Sequence, residues 1–160
     1  MSKANIKGQL EKQLTLANLN ARTSIMIKSA KEFIQLIDNQ SDNSTYRATT
    51  EEATEQVWAD VSEHHPEYEQ YILQNITISN STIKSLSKSP NSLVRWWVVQ
   101  KRRAGNDVLK ILSQDEDSSV RQAVAANKKP PYEVLESLCT DIEENVKSVA
   151  QYNIKLRKRP

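Results

Sequence analysis

Residues 116–127 read EDSSVRQAVAAN, and nearly the same phrase occurs twice more in the chain. It stands at 90–101 as PNSLVRWWVVQK and at 142–153 as IEENVKSVAQYN. A spacing of 26 residues aligns the central valines of the three phrases, Val94, Val120 and Val146. A constant spacing of this kind is typical of proteins built from repeated structural units.

The match extends to other positions in the same register. Four more sets of residues are spaced 26 apart: Ile83, Leu109 and Leu135; Leu86, Leu112 and Leu138; Val98, Val124 and Ala150; Arg95, Arg121 and Lys147. A further series has asparagine at three of its four positions: Asn75, Lys101, Asn127 and Asn153.

Each period contains two short apolar patterns with helical spacing. Helices of about 8–10 residues are unstable alone, so the units are expected to stack on one another as a solenoid.

The predicted division of the chain has three parts: an N-terminal helical extension at 1–48, a helical repeat domain at 49–153 and a basic tail at 154–160. The expected repeat units are 50–74, 75–100, 101–126 and 127–152. Thr49 and Glu52 have the spacing of a capping box, which predicts a helix start at the first, degenerate unit. The stretch SDNSTYRATT at 41–50 before it is predicted to be a polar connector.

The phrases VLESLCTD and SSVRQAVAANKKPP, with their repetitions, resemble leucine-rich-variant and HEAT-like repeats. The resemblance covers about residues 50–153 and implies an all-α fold, a short right-handed α-solenoid of HEAT-like units. HEAT-type units often pair an aspartate with an arginine six residues later, and Asp115 with Arg121 keeps that spacing. Stacked units are expected to form a ladder of such pairs, in which Ser89 leaves Arg95 without an acid in its own unit.

Composition narrows the class of protein further. Only two glycines occur among 160 residues, which favours helices over strand-rich folds with many tight turns. The single Cys139 excludes an internal disulfide and an all-cysteine metal site. No segment approaches the roughly 20 apolar residues of a membrane span, and the N-terminus has no signal-like apolar core. We therefore expect a cytoplasmic protein without a membrane association, a metal or another cofactor.

The charge is divided unevenly along the chain. Residues 1–74 hold 7 basic and 11 acidic side chains, whereas residues 75–160 hold 15 basic and 9 acidic ones. The C-terminal half is therefore the part that would first attract an acidic protein or a polyanion.

The segment WWVVQKRR at 96–103 departs most from the repeated pattern. Two adjacent tryptophans cannot share one face of a helix. We expect Trp97 beside the core residues Val94 and Val98, and Trp96 on the flank as a binding anchor. The predicted partner-binding residues are Arg95, Trp96, Lys101, Arg102 and Arg103. The alternative is that both tryptophans pack between units and that the basic triplet is a solvated turn.

Catalytic motifs such as a nucleophile elbow or a glycine-rich phosphate loop are missing from the sequence. The favoured hypothesis is a non-enzymatic module that binds another protein through the solenoid surface. An acidic partner or a toxin is expected, as for an immunity or antitoxin protein. The alternative is a nucleic-acid-binding protein related to the HEAT-like DNA glycosylases, which use a basic groove with aromatic residues and a carboxylate. Trp96, Trp97 and Asp115 would supply the last two features.

Overall fold

The computed structural model describes residues 26–158, which are all-α as the sequence predicts. The α-helices are α1 (Ala30–Asn39), α2 (Asp42–Thr50), α3 (Glu55–His64), α4 (Glu69–Ile72), α5 (Asn80–Leu86), α6 (Ser92–Gln100), α7 (Asn106–Leu112), α8 (Ser118–Ala126), α9 (Tyr132–Leu138) and α10 (Glu144–Arg157). A short 3-10 helix at Pro66–Tyr68 precedes α4. The only extended pairing in this part of the chain is an isolated bridge between Ile27 and Ala53.

Polar residues directly before the helices set where most of them begin. Six side chains accept a hydrogen bond from a backbone N–H in the first helical turn: Ser29, Ser41, Thr54, Ser79, Asn91 and Asp117. Such a bond satisfies one of the N–H groups that the helix itself leaves without an acceptor. The helices are therefore specified locally, although each is too short to be stable without its neighbours.

Consecutive helices pack as pairs, and we call α2, α4, α6, α8 and α10 the second helices of these pairs. Along the chain α4 contacts α6, α6 contacts α8, and α8 contacts α10. The residues that the sequence aligns at 26-residue spacing are buried. Leu86, Leu112 and Leu138 are at most 2% exposed, as are the central valines of the three repeated phrases. Side chains at matching positions of α5 to α10 therefore form one core.

Two sequence predictions in the N-terminal part are wrong. The supposed polar connector at 41–50 is mostly helix α2, which Ser41 caps. Thr49 lies inside that helix and donates to the carbonyl of Thr45, so it caps nothing; α3 begins after Thr54 instead. In the described part of the predicted extension, Phe33 of α1 packs edge-to-face on Trp58 of α3 with ring centroids 5.0 Å apart. Residues 1–25 of the predicted extension lie outside the described residues.

The C-terminal end differs from its prediction as well. Residues 154–157, assigned to a basic tail, continue α10 as regular helix. The Arg157 guanidinium donates to the carbonyl oxygen of Pro130 at 2.7 Å. The end of α10 is thus attached to the loop between α8 and α9, and residues 159–160 lie outside the described residues.

Candidate partner-binding surface

Ion pairs join the later helix pairs along one edge of the protein. Nε and Nη2 of Arg95 donate to the two carboxylate oxygens of Asp115 at 2.7 and 2.8 Å. Arg121 makes the same pair of bonds to Asp141 at 2.8 and 2.9 Å. All four side chains are 5–12% exposed. The predicted ladder is confirmed at these two positions, and each arginine bonds to the acid of the next pair.

The junction between α4 and α6 has other residues at the same positions. Glu69 stands 26 residues before Arg95, and Ser89 stands 26 residues before Asp115. The Ser89 hydroxyl donates to a Glu69 carboxylate oxygen at 2.5 Å, and both residues are at most 5% exposed. A buried acid and a hydroxyl here replace the arginine and aspartate of the later junctions.

Arg95 was predicted to bind a partner because its own unit offers no acid, but Asp115 of the next pair supplies one. Its Nη1 also donates to the backbone carbonyls of Ser89 and Pro90. The hydrogen bond with Asp115 raises the pKa of Arg95 above its ordinary value. The nitrogens of this guanidinium are therefore already engaged inside the protein.

A second series of contacts runs along the opposite edge, where the second helices end. The Asn153 amide donates to the carbonyl oxygens of Ala125 and Asn127, both at 2.8 Å. Asn127 donates to the carbonyl oxygen of Val99 at 2.9 Å. Asn75 likewise bonds to carbonyls at the end of α2. These asparagines tie α4, α8 and α10 to the end of the second helix that precedes each of them.

Lys101 interrupts the asparagine series and lies at a cavity of about 290 Å³ between the α4 and α6 segments. The cavity is lined by Gln70, Leu73, Gln74, Trp97, Gln100 and Lys101. Within residues 26–158 the half-buried Lys101 ammonium has neither a hydrogen bond nor an ion pair. Burial, and then the charge of Arg103, lower the pKa of Lys101. A cation is thus held at a concave site without an anion beside it.

The two adjacent tryptophans have exchanged their expected positions. Trp96 is half-buried and packs against the core, whereas Trp97 is 46% exposed. Their rings meet edge-to-face with centroids 5.0 Å apart. Because Arg95 and Val99 are buried as well as Val98, the inner face of α6 is turned away from Trp97. The placement of Trp97 beside the core is therefore wrong.

Basic side chains line the edge at which α6, α8 and α10 end. We call this set the basic edge: Lys101, Arg102, Arg103, Lys128, Lys129, Lys155, Arg157 and Lys158. No ion pair involves any of these eight within the described part of the chain. The Lys129 ammonium donates to the carbonyl oxygen of Arg102, which joins the first two loops of this edge. Arg103 donates to the carbonyl of Ile78 at 3.0 Å.

Only part of this surface was identified from the sequence. Lys101, Arg102 and Arg103 were named, but the rest of the basic edge was not. The 26-residue register could have found it, because Lys128, Lys129 and Lys155 stand 26 residues after Arg102, Arg103 and Lys129. The register also aligns Trp97 with Tyr71, Ala123 and Val149, which form a row across the second helices.

Other polar groups offer less for a site. Burial raises the pKa of the Cys139 thiol, which disfavours the reactive thiolate. Among the residues with described structure, no group of three or more potential ligands could hold a metal ion. The same residues include no helix long and apolar enough to cross a membrane.

No protein-family model, curated protein or solved structure is significantly similar to this chain. A functional interpretation therefore depends on the fold and on the surface just described.

Proposed function

We propose that the protein is a short right-handed α-solenoid of HEAT-like repeats with a 26-residue period, and that it is a non-enzymatic module that binds an acidic protein. The observation that carries this proposal is the basic edge, eight cations without an ion pair in residues 26–158. An uncompensated cluster of one sign attracts a partner of the opposite sign and accelerates its association.

The row of residues beside the basic edge supports the same function. Trp97 is exposed, Tyr71 and Val149 are half-buried, and Tyr152 lies 63% exposed near them on α10. Tryptophan and tyrosine are enriched among the residues that contribute most of the binding energy at protein interfaces. Aromatic residues bordered by cations form a surface with an apolar centre and a charged rim, as protein interfaces have.

The charge is also polarised across the second helices. Exposed acids lie where α8 and α10 begin, among them Glu116, Glu143 and Glu144, and the basic edge lies where they end. Acids at the start of a helix and cations at its end both stabilise the helix dipole. Eight cations at three helix ends are more than this stabilisation requires. The polarity would orient an acidic partner along the helices. An immunity or antitoxin protein that blocks a partner enzyme is one concrete form of this function.

The position of Asp115 favours a protein partner over the glycosylase-like alternative. That hypothesis uses Asp115 as the carboxylate of a nucleic-acid enzyme. Its side chain is only 5% exposed and accepts two hydrogen bonds from Arg95. A carboxylate with these bonds is better suited to holding neighbouring helix pairs together than to acting as a catalyst on a nucleic-acid base.

Affinity capture from the native host, with and without nuclease, tests the proposal. The test variant Arg102→Glu/Lys128→Glu reverses two exposed side chains of the basic edge that make no hydrogen bond or ion pair with described residues. The matched control, Lys31→Glu/Lys110→Glu, reverses two exposed lysines elsewhere. We expect the test variant to lose an acidic protein that the wild type and the control retain after nuclease treatment. Capture of nucleic acid alone, or equal capture by both variants, would contradict the proposal.

A further inference from the structure

The cavity at Lys101 combines features that no other described cavity has. Its lining includes one ammonium, three primary amides and the exposed face of Trp97, but no carboxylate. Within the described residues, the side chains of Gln70, Gln74 and Gln100 make no hydrogen bonds, so their N–H groups are free to donate to an anion. The site is thus surrounded by unused donors.

The neighbouring cavity has the opposite character. It shares Gln70 and Gln74 with the Lys101 cavity, but Asp38 and Glu67 are among its lining residues. The Tyr68 hydroxyl there donates to Asp38 at 2.8 Å. A carboxylate at this surface would be repelled from the Asp38 side and attracted to Lys101.

The residue type at position 101 is not required by the fold. Asparagine at the matching positions 75, 127 and 153 bonds to backbone carbonyls of the preceding helix. Lysine gives up that bond and leaves a half-buried cation, whose lowered pKa reflects the cost of burial. An anion placed beside the ammonium would offset that cost.

We propose that the Lys101 cavity binds a side-chain carboxylate, that of an aspartate or glutamate of the acidic partner. The carboxylate lies at the Lys101 ammonium and accepts further hydrogen bonds from the glutamine amides, while its methylene groups pack on Trp97. The cavity has a volume of about 290 Å³, which is enough space for one carboxylate side chain. This inference rests on the proposed function and names the chemistry of its anchoring contact.

A small probe isolates the cavity from the rest of the surface. N-acetylglutamate α-amide carries the side-chain carboxylate as its only charge, and N-acetylglutamine α-amide is its neutral counterpart. Binding is followed by the indole N–H signal of Trp97 in a nitrogen-15 NMR spectrum, assigned with Trp97→Phe. We expect the charged probe to shift this signal saturably, the neutral probe to bind at least tenfold more weakly, and signals around Asp38 to stay unchanged.

Three variants localise the effect. Lys101→Asn, which introduces the residue found at the matching positions, should weaken binding of the charged probe about tenfold, as loss of one charge-assisted hydrogen bond implies. Lys101→Arg should retain binding, and Lys128→Asn, which removes the same charge from the exposed part of the basic edge, should change it less than twofold. Equal binding of the two probes, or equal effects of Lys101→Asn and Lys128→Asn, would overturn the inference.

A deca-glutamate peptide separates this inference from the proposed function. If the peptide binds and Lys101→Asn and Lys128→Asn weaken its binding equally, the basic edge attracts acidic protein but the cavity is not a carboxylate site. If only the small probe binds, and Lys101→Asn abolishes it, the cavity is a carboxylate site and the proposed acidic protein partner is wrong. If the peptide and the charged small probe both bind, and Lys101→Asn weakens their binding more than Lys128→Asn does, the result supports both the carboxylate site and the proposed function.

Discussion

Between α6, α8 and α10 the same side chains hold each helix pair to the next, whereas the junction between α4 and α6 uses others. At the later junctions an arginine–aspartate ion pair joins neighbouring helix pairs at one edge, and an asparagine joins them at the other edge. At the earlier junction these positions hold Glu69, Ser89 and Lys101. Under the proposed function, these departures at both edges of a single junction are where the partner binds.

The departures also change what the junction presents to solvent. A small residue, Ala123, is buried at the later position that matches the exposed Trp97. The cavity beside Lys101 lies at this junction. Local stability is therefore expected to be lower at the α4–α6 junction, and binding residues are expected to be concentrated there.

Breaking the regular ladder should have the largest effect. Arg95→Ala leaves Asp115 buried without its cation, and removal of one partner from a buried ion pair costs roughly 3–5 kcal/mol. The free energy of unfolding from urea denaturation measures the loss. A cost below about 1 kcal/mol would mean that the pair behaves like an exposed one and contributes little to the regular junction.

Removing a core side chain at the centre of the regular region should cost somewhat less. Leu112 is 1% exposed, and Leu112→Ala should destabilise the protein by roughly 2–5 kcal/mol through lost burial and a cavity. Ile111, its 42% exposed neighbour, provides the control, because Ile111→Ala should change stability much less. Similar losses for the two variants in the same denaturation experiment would contradict the assignment of Leu112 to the core.

The sequence was sufficient to predict the core of α5 to α10, because leucine and valine recur there at positions that one register aligns. It failed for α2, where Ala48 is the only buried apolar residue. Ser, Thr and Asn are modest helix formers, so this helix depends on its Ser41 cap and on contacts with α1. A helical pattern read from apolar spacing cannot detect such a segment.

The binding surface was predicted only in part for a different reason. Its basic triplet can be seen in the local sequence, but the cavity at Lys101 forms where residues 70–74 meet residues 97–101 of the neighbouring helix pair. The exposure of Trp97 likewise depends on the burial of Arg95 and Val99. Arg95 is buried because of an acid 20 residues later in the chain. Such relations require the packing of neighbouring pairs to be known.

Removing the substitute contact at the irregular junction should have an intermediate effect. Ser89→Ala deprives the buried Glu69 of the hydroxyl bound at 2.5 Å, and an unsatisfied buried polar group costs roughly 1–3 kcal/mol. Ser85→Ala on the exposed side of α5 is the matched control and should be nearly neutral. If both variants unfold at the same urea concentration, Glu69 has other partners and the junction is less specialised than its sequence indicates.

The smallest effect, and the sharpest test of the comparison, is expected for Lys101→Asn. The asparagine amide should reach the carbonyls at the end of α4, as Asn127 and Asn153 reach those of α6 and α8. One net hydrogen bond is worth about 0.5–1.5 kcal/mol, so the variant should be more stable than the wild type by about that amount.

The reverse change, Asn127→Lys, should destabilise the regular junction, because it removes the bond to Val99. Thermal and urea denaturation of both variants measure the two signs. A gain for Lys101→Asn together with weaker carboxylate binding identifies position 101 as one where stability is given up for function, whereas a loss of stability would show that Lys101 already serves the fold.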